Sequence, residues 1–341
     1  MKNIIFKSVR RGFTLVELMA AMAITSILIV VIVSLTARGI DIWRMVIQDV
    51  RTTGQARMAM DTMMQDLESM QVRAGNNYQW LDVQRDDTLG TKSLKMGPKG
   101  AQFSNAARLI FFTTAMDRNA AMLSGEARVY NSRMASHRQT VGDVNCVAYK
   151  LEYRDQILNR DAEEGKGVPG FPVYALYRNL VPAYKTFDDL LGKTDLYQAY
   201  RRYQADEARP MNFLVENIVE MTLIFDVEYR DRQESGQQNS TAWIEVQPVP
   251  IIATGVAKSG SYRELEIFGN RINAESIGGR NSKMLYGTVI GVTINLTVVT
   301  DEGMVLVDQV RQGNRALPKP EDFFRRYTRS FSQKVEIPKP N

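Results

Sequence analysis

Cysteine and histidine are almost missing from this chain: Cys146 and His137 stand alone in 341 residues. A single thiol cannot close an intramolecular disulfide, so the fold is expected to hold without one even in an oxidising compartment. Zinc sites built from cysteine and histidine clusters are excluded by count. A Cys–His catalytic pair would need these two residues to meet. Cys146 lies in an alternating apolar run, where a buried structural thiol is the expected state. Also missing are a Walker-type phosphate loop, an H-E-x-x-H pair and a G-x-S-x-G elbow. One G-x-G-x-x-G run occurs at 165–170, but an acid-rich stretch precedes it and the strand-like Tyr174-Ala-Leu-Tyr-Arg178 follows. A dinucleotide site needs the opposite, a strand before and a helix after. No internal repeat and no low-complexity block is present. These absences point away from an enzyme and away from a bound cofactor.

The basic excess is smaller than it looks. The formal charge is +5, but Lys2, Lys7, Arg10 and Arg11 supply four of those charges within the first twelve residues, leaving +1 for the rest. The excess is therefore a topology signal rather than a nucleic-acid surface. Behind this leader, residues 13–35 carry one ionisable group, Glu17; Thr14, Thr25, Ser26 and Ser34 are the only other polar residues there. At 1.5 Å per residue the segment is about 35 Å long as a helix, enough to cross a bilayer core. Glu17 is costly at that depth, roughly 2.5–3.5 kcal/mol on insertion scales, so its presence calls for a partner and a role. A secretory signal would be shorter and closed by a small-residue cleavage site. The basic leader places the N-terminus in the cytoplasm and the rest of the chain across the membrane.

The run Gly12-Phe13-Thr14-Leu15-Val16-Glu17-Leu18 resembles the processing site of type IV pilin-like precursors, the prepilins. The resemblance covers about the first 35 residues and matches every position of the short motif. It implies cleavage after Gly12 by prepilin peptidase, N-methylation of Phe13 and an assembly role for Glu17, the fifth residue of the mature chain. The implied partners are that peptidase, other pilin-like subunits and the inner membrane. The implied location is single-pass in the bacterial inner membrane, with a periplasmic head, and then at the tip or side of a filament.

The chain is expected to be α+β, a long N-terminal helix packed on a mostly antiparallel head with long loop insertions. Residues 1–12 are the leader, 13–75 the helix with 13–35 transmembrane, 76–310 the β-rich head and 311–341 a proline-containing tail. Ile42, Val46, Val50, Met60, Met63, Met64, Leu67 and Met70 recur at helical spacing, with Asp61 and Asp66 assigned to the polar side. Strands are expected at 108–114, 144–153, 173–181, 219–229, 242–248, 265–268, 289–300 and 304–310. The last two read as a hairpin closed by Asp301-Glu302-Gly303. Polar insertions are read at 82–105, 117–142, 155–170, 231–240 and 251–262, and a short inserted helix at 187–202. In the tail, 322–327 predicts one or two helical turns. Its interleaved Phe323, Phe324, Arg325, Arg326, Tyr327, Arg329 and Phe331 could stack on single-stranded nucleic acid, but docking of the aromatics on the head is the simpler reading.

The order of the long helix, Phe213-Leu-Val-Glu-Asn-Ile-Val219, Phe225-Asp-Val-Glu-Tyr229 and Trp243 resembles the minor pseudopilin J class of type II secretion systems. The insertions and tail depart from that class. The chain is also similar to long prepilin-like proteins of multi-gene cassettes in Verrucomicrobia-type bacteria. These likenesses imply a minor pilin or pseudopilin of a type II secretion or type IV pilus-like filament. Long insertions favour a minor subunit, since they would obstruct a tightly repeating fibre. The rival readings are a membrane-anchored binding module or enzyme, and a DNA-uptake minor pilin. No cofactor is expected. Were a cation taken, oxygen-rich loops would suit Ca²⁺, with Asp226, Glu228 and Asp231, or Glu163 and Glu164, or Asp301 and Glu302 as the candidates.

Overall fold

The computed structural model describes residues 14–85, 105–114, 144–158, 160–161, 170–231, 243–251, 262–276, 279–280, 287–316 and 318–338. The chain divides into two compact units, Met1–Arg51 and Thr52–Asn341. Helix α1 spans Leu15–Glu68. No proline occurs before Pro98, and Gly39 and Gly54 both stay helical, so nothing breaks the ladder of backbone bonds. The helix stops seven residues short of the expected end at residue 75, and Met70 then makes a single bridge to Thr113.

In the second unit α1 buries Thr52, Ala56, Ala59, Met60, Met63, Asp66 and Leu67, a stripe with the three- and four-residue spacing of one helix face. Val46 and Val50, expected on that stripe, are 50% and 66% exposed. Asp66 is the larger correction. It was assigned to the polar side, yet it is 1% exposed. It faces inward because Arg178 Nε and NH2 reach its two oxygens at 2.7 Å each, and Tyr149 Oη donates to it at 2.5 Å. Thr113 donates its hydroxyl to the Asp66 carbonyl at 2.9 Å, fixing the same turn through the backbone.

The head is one continuous sheet of thirteen strands among the described residues: β1 (Gln79–Arg85), β2 (Asn105–Thr113), β3 (Asn145–Asp155), β4 (Arg160–Asp161), β5 (Val173–Val181), β6 (Phe213–Glu216), β7 (Ile218–Asp231), β8 (Trp243–Ile251), β9 (Tyr262–Phe268), β10 (Ile272–Ser276), β11 (Gly279–Arg280), β12 (Thr288–Val299) and β13 (Thr328–Glu336). The main path runs β13-β12-β7-β8-β9-β1-β2-β3-β5-β6. Pairing is antiparallel except β8 with β9 and β2 with β7. The second of these links the path back on itself, so β7, β8, β9, β1 and β2 form a closed circuit.

Alternation along the strands fills both faces of the sheet. On β2, Leu109 and Phe111 join the core under α1, while Ile110 and Phe112 point the other way. On β3, Val147, Tyr149 and Leu151 face α1, and Cys146 and Ala148 face away. Helical turns between 183 and 207 cover that second face with Leu190, Leu196, Tyr200 and Tyr203. They replace the single inserted helix expected at 187–202.

Two of the departures from the expected strand pattern bear on how the head packs. Residues 301–311 form α2 (Asp301–Arg311), not the second arm of a hairpin. Thr300 caps this helix, its hydroxyl accepting from the Gly303 amide at 3.3 Å, and Asp301 and Glu302 fall in the first turn where the helix dipole favours acids. Met304 and Val307 then turn inward at helical spacing. Strand β1 has no counterpart among the expected strands, and its second half falls in the polar insertion read at 82–105; its Gln79, Asp82 and Gln84 point to the second face. In the tail, α3 (Pro320–Tyr327) matches the expected helical turns, and β13 follows it as a sheet strand pairing along β12.

Two outcomes test this architecture. Asp66→Ala or Arg178→Met alone should lower unfolding stability by about 3–5 kcal/mol, since each strands a buried charge. The pair Asp66→Leu with Arg178→Met should cost much less than the sum; denaturant melts of the four proteins give the coupling. Gly303→Ala should cost about 1–3 kcal/mol, because a Cβ there would stand 2.6 Å from Val299 Cγ1 and 2.8 Å from Tyr327 Cβ. A neutral Gly303→Ala melt would show that α2 does not need this close approach.

Candidate functional site

Gly12 and Phe13 lie outside the described residues, and Thr14 is the first residue whose geometry can be stated. It stands just before α1. Its amide and hydroxyl both donate to Glu17 Oε2, at 2.9 and 3.1 Å, and the Glu17 amide donates back to the Thr14 hydroxyl at 3.2 Å. This is a capping box: threonine and a glutamate three residues on satisfy each other's orphan groups at a helix start. Glu17 therefore has a local structural partner, which the motif alone did not reveal.

The following turns present apolar side chains on every face. Leu15, Leu18, Met22, Ile29 and Val33 are all more than half exposed. The hydroxyls within this run turn back to the helix: Thr25 donates to the Ala21 carbonyl at 2.6 Å, Ser26 to Met22 at 2.7 Å and Thr36 to Ile32 at 2.8 Å. A helix that satisfies its own polar groups is the form that hydrocarbon accepts. Among the described residues, this is the one helix long and apolar enough to cross a membrane. Exposed apolar residues also continue past Leu35. Ile40, Ile42, Trp43, Met45, Val46, Ile47 and Val50 are between 48% and 66% exposed.

Other residues singled out in the sequence have ordinary structural roles or fall outside the description. Cys146 is fully buried, and burial pushes its thiol well above the usual range. His137, Glu163 and Glu164 lie outside the described residues, as does most of the 165–170 glycine run. Asp226 pairs with Lys334 at 2.7 Å, and Asp301 accepts from the Asn217 side chain at 3.3 Å. Glu228 lies elsewhere on β7, and the Asp231 side chain is outside the description. Among the described residues, these acids form no group of three. In the tail, Phe323 is buried against Phe324 and Tyr327, and Arg325 pairs with Asp322. These aromatics are packed on the head rather than presented as a stacking platform.

The sequence reading passed over a different carboxylate group. Asp82 on β1 meets Glu264 and Glu266 on β9, one oxygen of each lying within 4.8 Å of the others. The signal was available in part: Glu264 and Glu266 alternate with Leu265 and Ile267, which puts both acids on one face. What could not be read was that β1 would lie beside them.

Residues 7–33 match a family model described as the prokaryotic N-terminal methylation motif. No curated protein and no solved structure matches the chain. This motif, leading into a long apolar helix that opens on a threonine–glutamate cap, is consistent with a type IV pilin-like protein.

Proposed function

We propose that the chain is the precursor of a minor pilin or pseudopilin subunit, cleaved after Gly12, methylated at Phe13 and built into a type II secretion or type IV pilus-like filament through α1. The observation that carries this reading is the apolar surface beyond bilayer length. A core of about 30 Å is spanned by roughly 20 helical residues, yet exposed apolar side chains run from Leu15 to Val50. A single-pass anchor has no use for the second stretch, whereas a bundle of like helices would cover it. Glu17 serves that bundle. After cleavage the α-amino group of Phe13 is a cation at the membrane edge, and a neighbouring subunit's Glu17 is its natural counter-charge in low dielectric. The head stays in the periplasm and is displayed at the filament tip or side, where its long insertions do not obstruct a repeat. The protein is then the substrate of a peptidase and not itself an enzyme.

Mass analysis of the N-terminus of membrane-extracted protein should find a chain beginning at methylated Phe13. A mature chain that starts at Met1, or beyond Thr36, is incompatible with this processing.

Glu17→Val should insert into the membrane and be cleaved like the parent. Its recovery in sheared or cross-linked filament fractions should fall more than ~10-fold, equivalent to ~1.4 kcal/mol of subunit affinity. Equal recovery of the variant and the parent would remove the carboxylate from assembly.

A further inference from the structure

We propose that the head binds one calcium-sized divalent cation on Asp82, Glu264 and Glu266, between strands β1 and β9. The inference is independent of how the N-terminal helix assembles. Asp82 lies directly across from Glu266, and Gln84 from Glu264, in the β1–β9 register. One carboxylate oxygen from each acid lies within 4.8 Å of the other two. Two oxygens on one ion can stand no farther apart than twice the metal–oxygen distance. That limit is about 4.6–5.2 Å for Ca²⁺ and about 4.0–4.2 Å for Mg²⁺. Oxygens within 4.8 Å of one another fall inside the Ca²⁺ limit, and Mg²⁺, which dehydrates reluctantly, is less suited to a set of protein carboxylates. The donor set is all oxygen, which suits a hard cation and not zinc or copper.

A second observation points to a ligand at the same place. Asp82 is 1% exposed, and its Oδ1 is buried with no hydrogen-bond partner among the described residues. Its Oδ2 accepts from the Gln79 and Gln84 amides at 2.9 and 3.4 Å. Buried carboxylate oxygens are ordinarily paired, and this one has an open valence.

Side-chain amides around the acids position them. Gln79 also donates to Glu266 at 3.2 Å, Gln84 to Glu264 at 2.7 Å, and Asn273 on β10 to Glu266 at 2.6 Å. These donors are neutral amides. The Gln79 amide cannot turn over, because its Oε1 accepts from the Leu196 backbone at 2.5 Å, in the helical turns covering this face. On β2, Ile110 lies across from Asp82 and Arg108 across from Gln84. Arg108 is engaged with Glu207 and Tyr197. Without a cation, burial first and then the charges of Glu264 and Glu266 push Asp82 up to about 8. A proton is therefore the rival occupant of this site. Glu264 and Glu266 are only half-buried, which leaves an ion a way in.

Calorimetric titration of the full chain, purified in detergent and stripped with EDTA, tests the proposal. CaCl2 should bind at one ion per chain and raise the thermal midpoint of the head, and MgCl2 should bind more weakly. Asp82→Asn and Glu266→Gln should each weaken Ca²⁺ binding at least about tenfold, the loss that even the outer partners of metal ligands cause. Glu266→Gln keeps shape and hydrogen-bonding at a half-buried position, so it stays informative if Asp82→Asn does not fold. No binding at millimolar Ca²⁺, unchanged affinity in Glu266→Gln, or Mg²⁺ binding as tight as Ca²⁺ would each overturn the assignment.

Discussion

The ion pair between Asp66 and Arg178 sets the register of the head. Tyr149 and Arg178 are a cross-strand pair on β3 and β5, and both donate to the same carboxylate. The methionines and alanines of α1 could slide along an apolar sheet at modest cost. A buried bidentate pair cannot, because a shift of one residue would leave two charges desolvated and unmatched. Thr113 holds the Asp66 carbonyl, and Ser69 holds the Thr113 hydroxyl at 2.8 Å. The last turn of the helix is thus tied to β2, β3 and β5 together. The rest of the core, from Met63 to Phe225, packs around a helix whose rotation and height are already determined.

That arrangement leaves the other face of β1, β2 and β3 to be covered separately. The helical turns between 183 and 207 do so with a smaller apolar cluster, and Trp80 meets Phe112 edge-on within it. Polar groups gather beside this cluster rather than under α1. Gln79, Asp82, Arg108 and Glu207 all lie there and are all buried. The side that carries the long helix is mainly apolar around the buried Asp66–Arg178 pair, whereas the side that carries the inserted turns holds several buried polar groups. A strand such as β1 has to serve both sides. Leu81 and Val83 face the first, and Trp80 and Asp82 the second.

Legibility in the sequence follows this division. The apolar helix and β5 were readable because each has one environment along its length, so composition and periodicity agree. β1 was obscured because buried amides and an acid occupy alternate positions where an outward polar face or a loop is the simpler reading. Asp66 was misassigned for a related reason: its partner Arg178 is 112 residues away, and no local pattern announces a buried charge whose counter-ion is distant. Residues 301–311 misled in another way. An acid pair and a glycine between apolar runs signal a turn, but here the acids open a helix and Gly303 admits the side chains of Val299 and Tyr327. Of the N-terminal site, Glu17 was found from its motif, while the reciprocal bonds with Thr14 needed coordinates.

Those reciprocal bonds change what the glutamate contributes over the life of the molecule. A lone carboxylate in lipid would be an open demand, ready to seize any donor that drifts past. In this chain the demand is met from within, by the amide and hydroxyl of Thr14. The newly inserted chain can therefore wait in the bilayer without a mate. In the proposed assembly, recruitment would be an exchange of hydrogen bonds rather than the rescue of a stranded charge, and only a donor stronger than a neutral amide and hydroxyl would gain by making it. In that proposed filament the cap would act as a threshold, screening casual neighbours from committed ones.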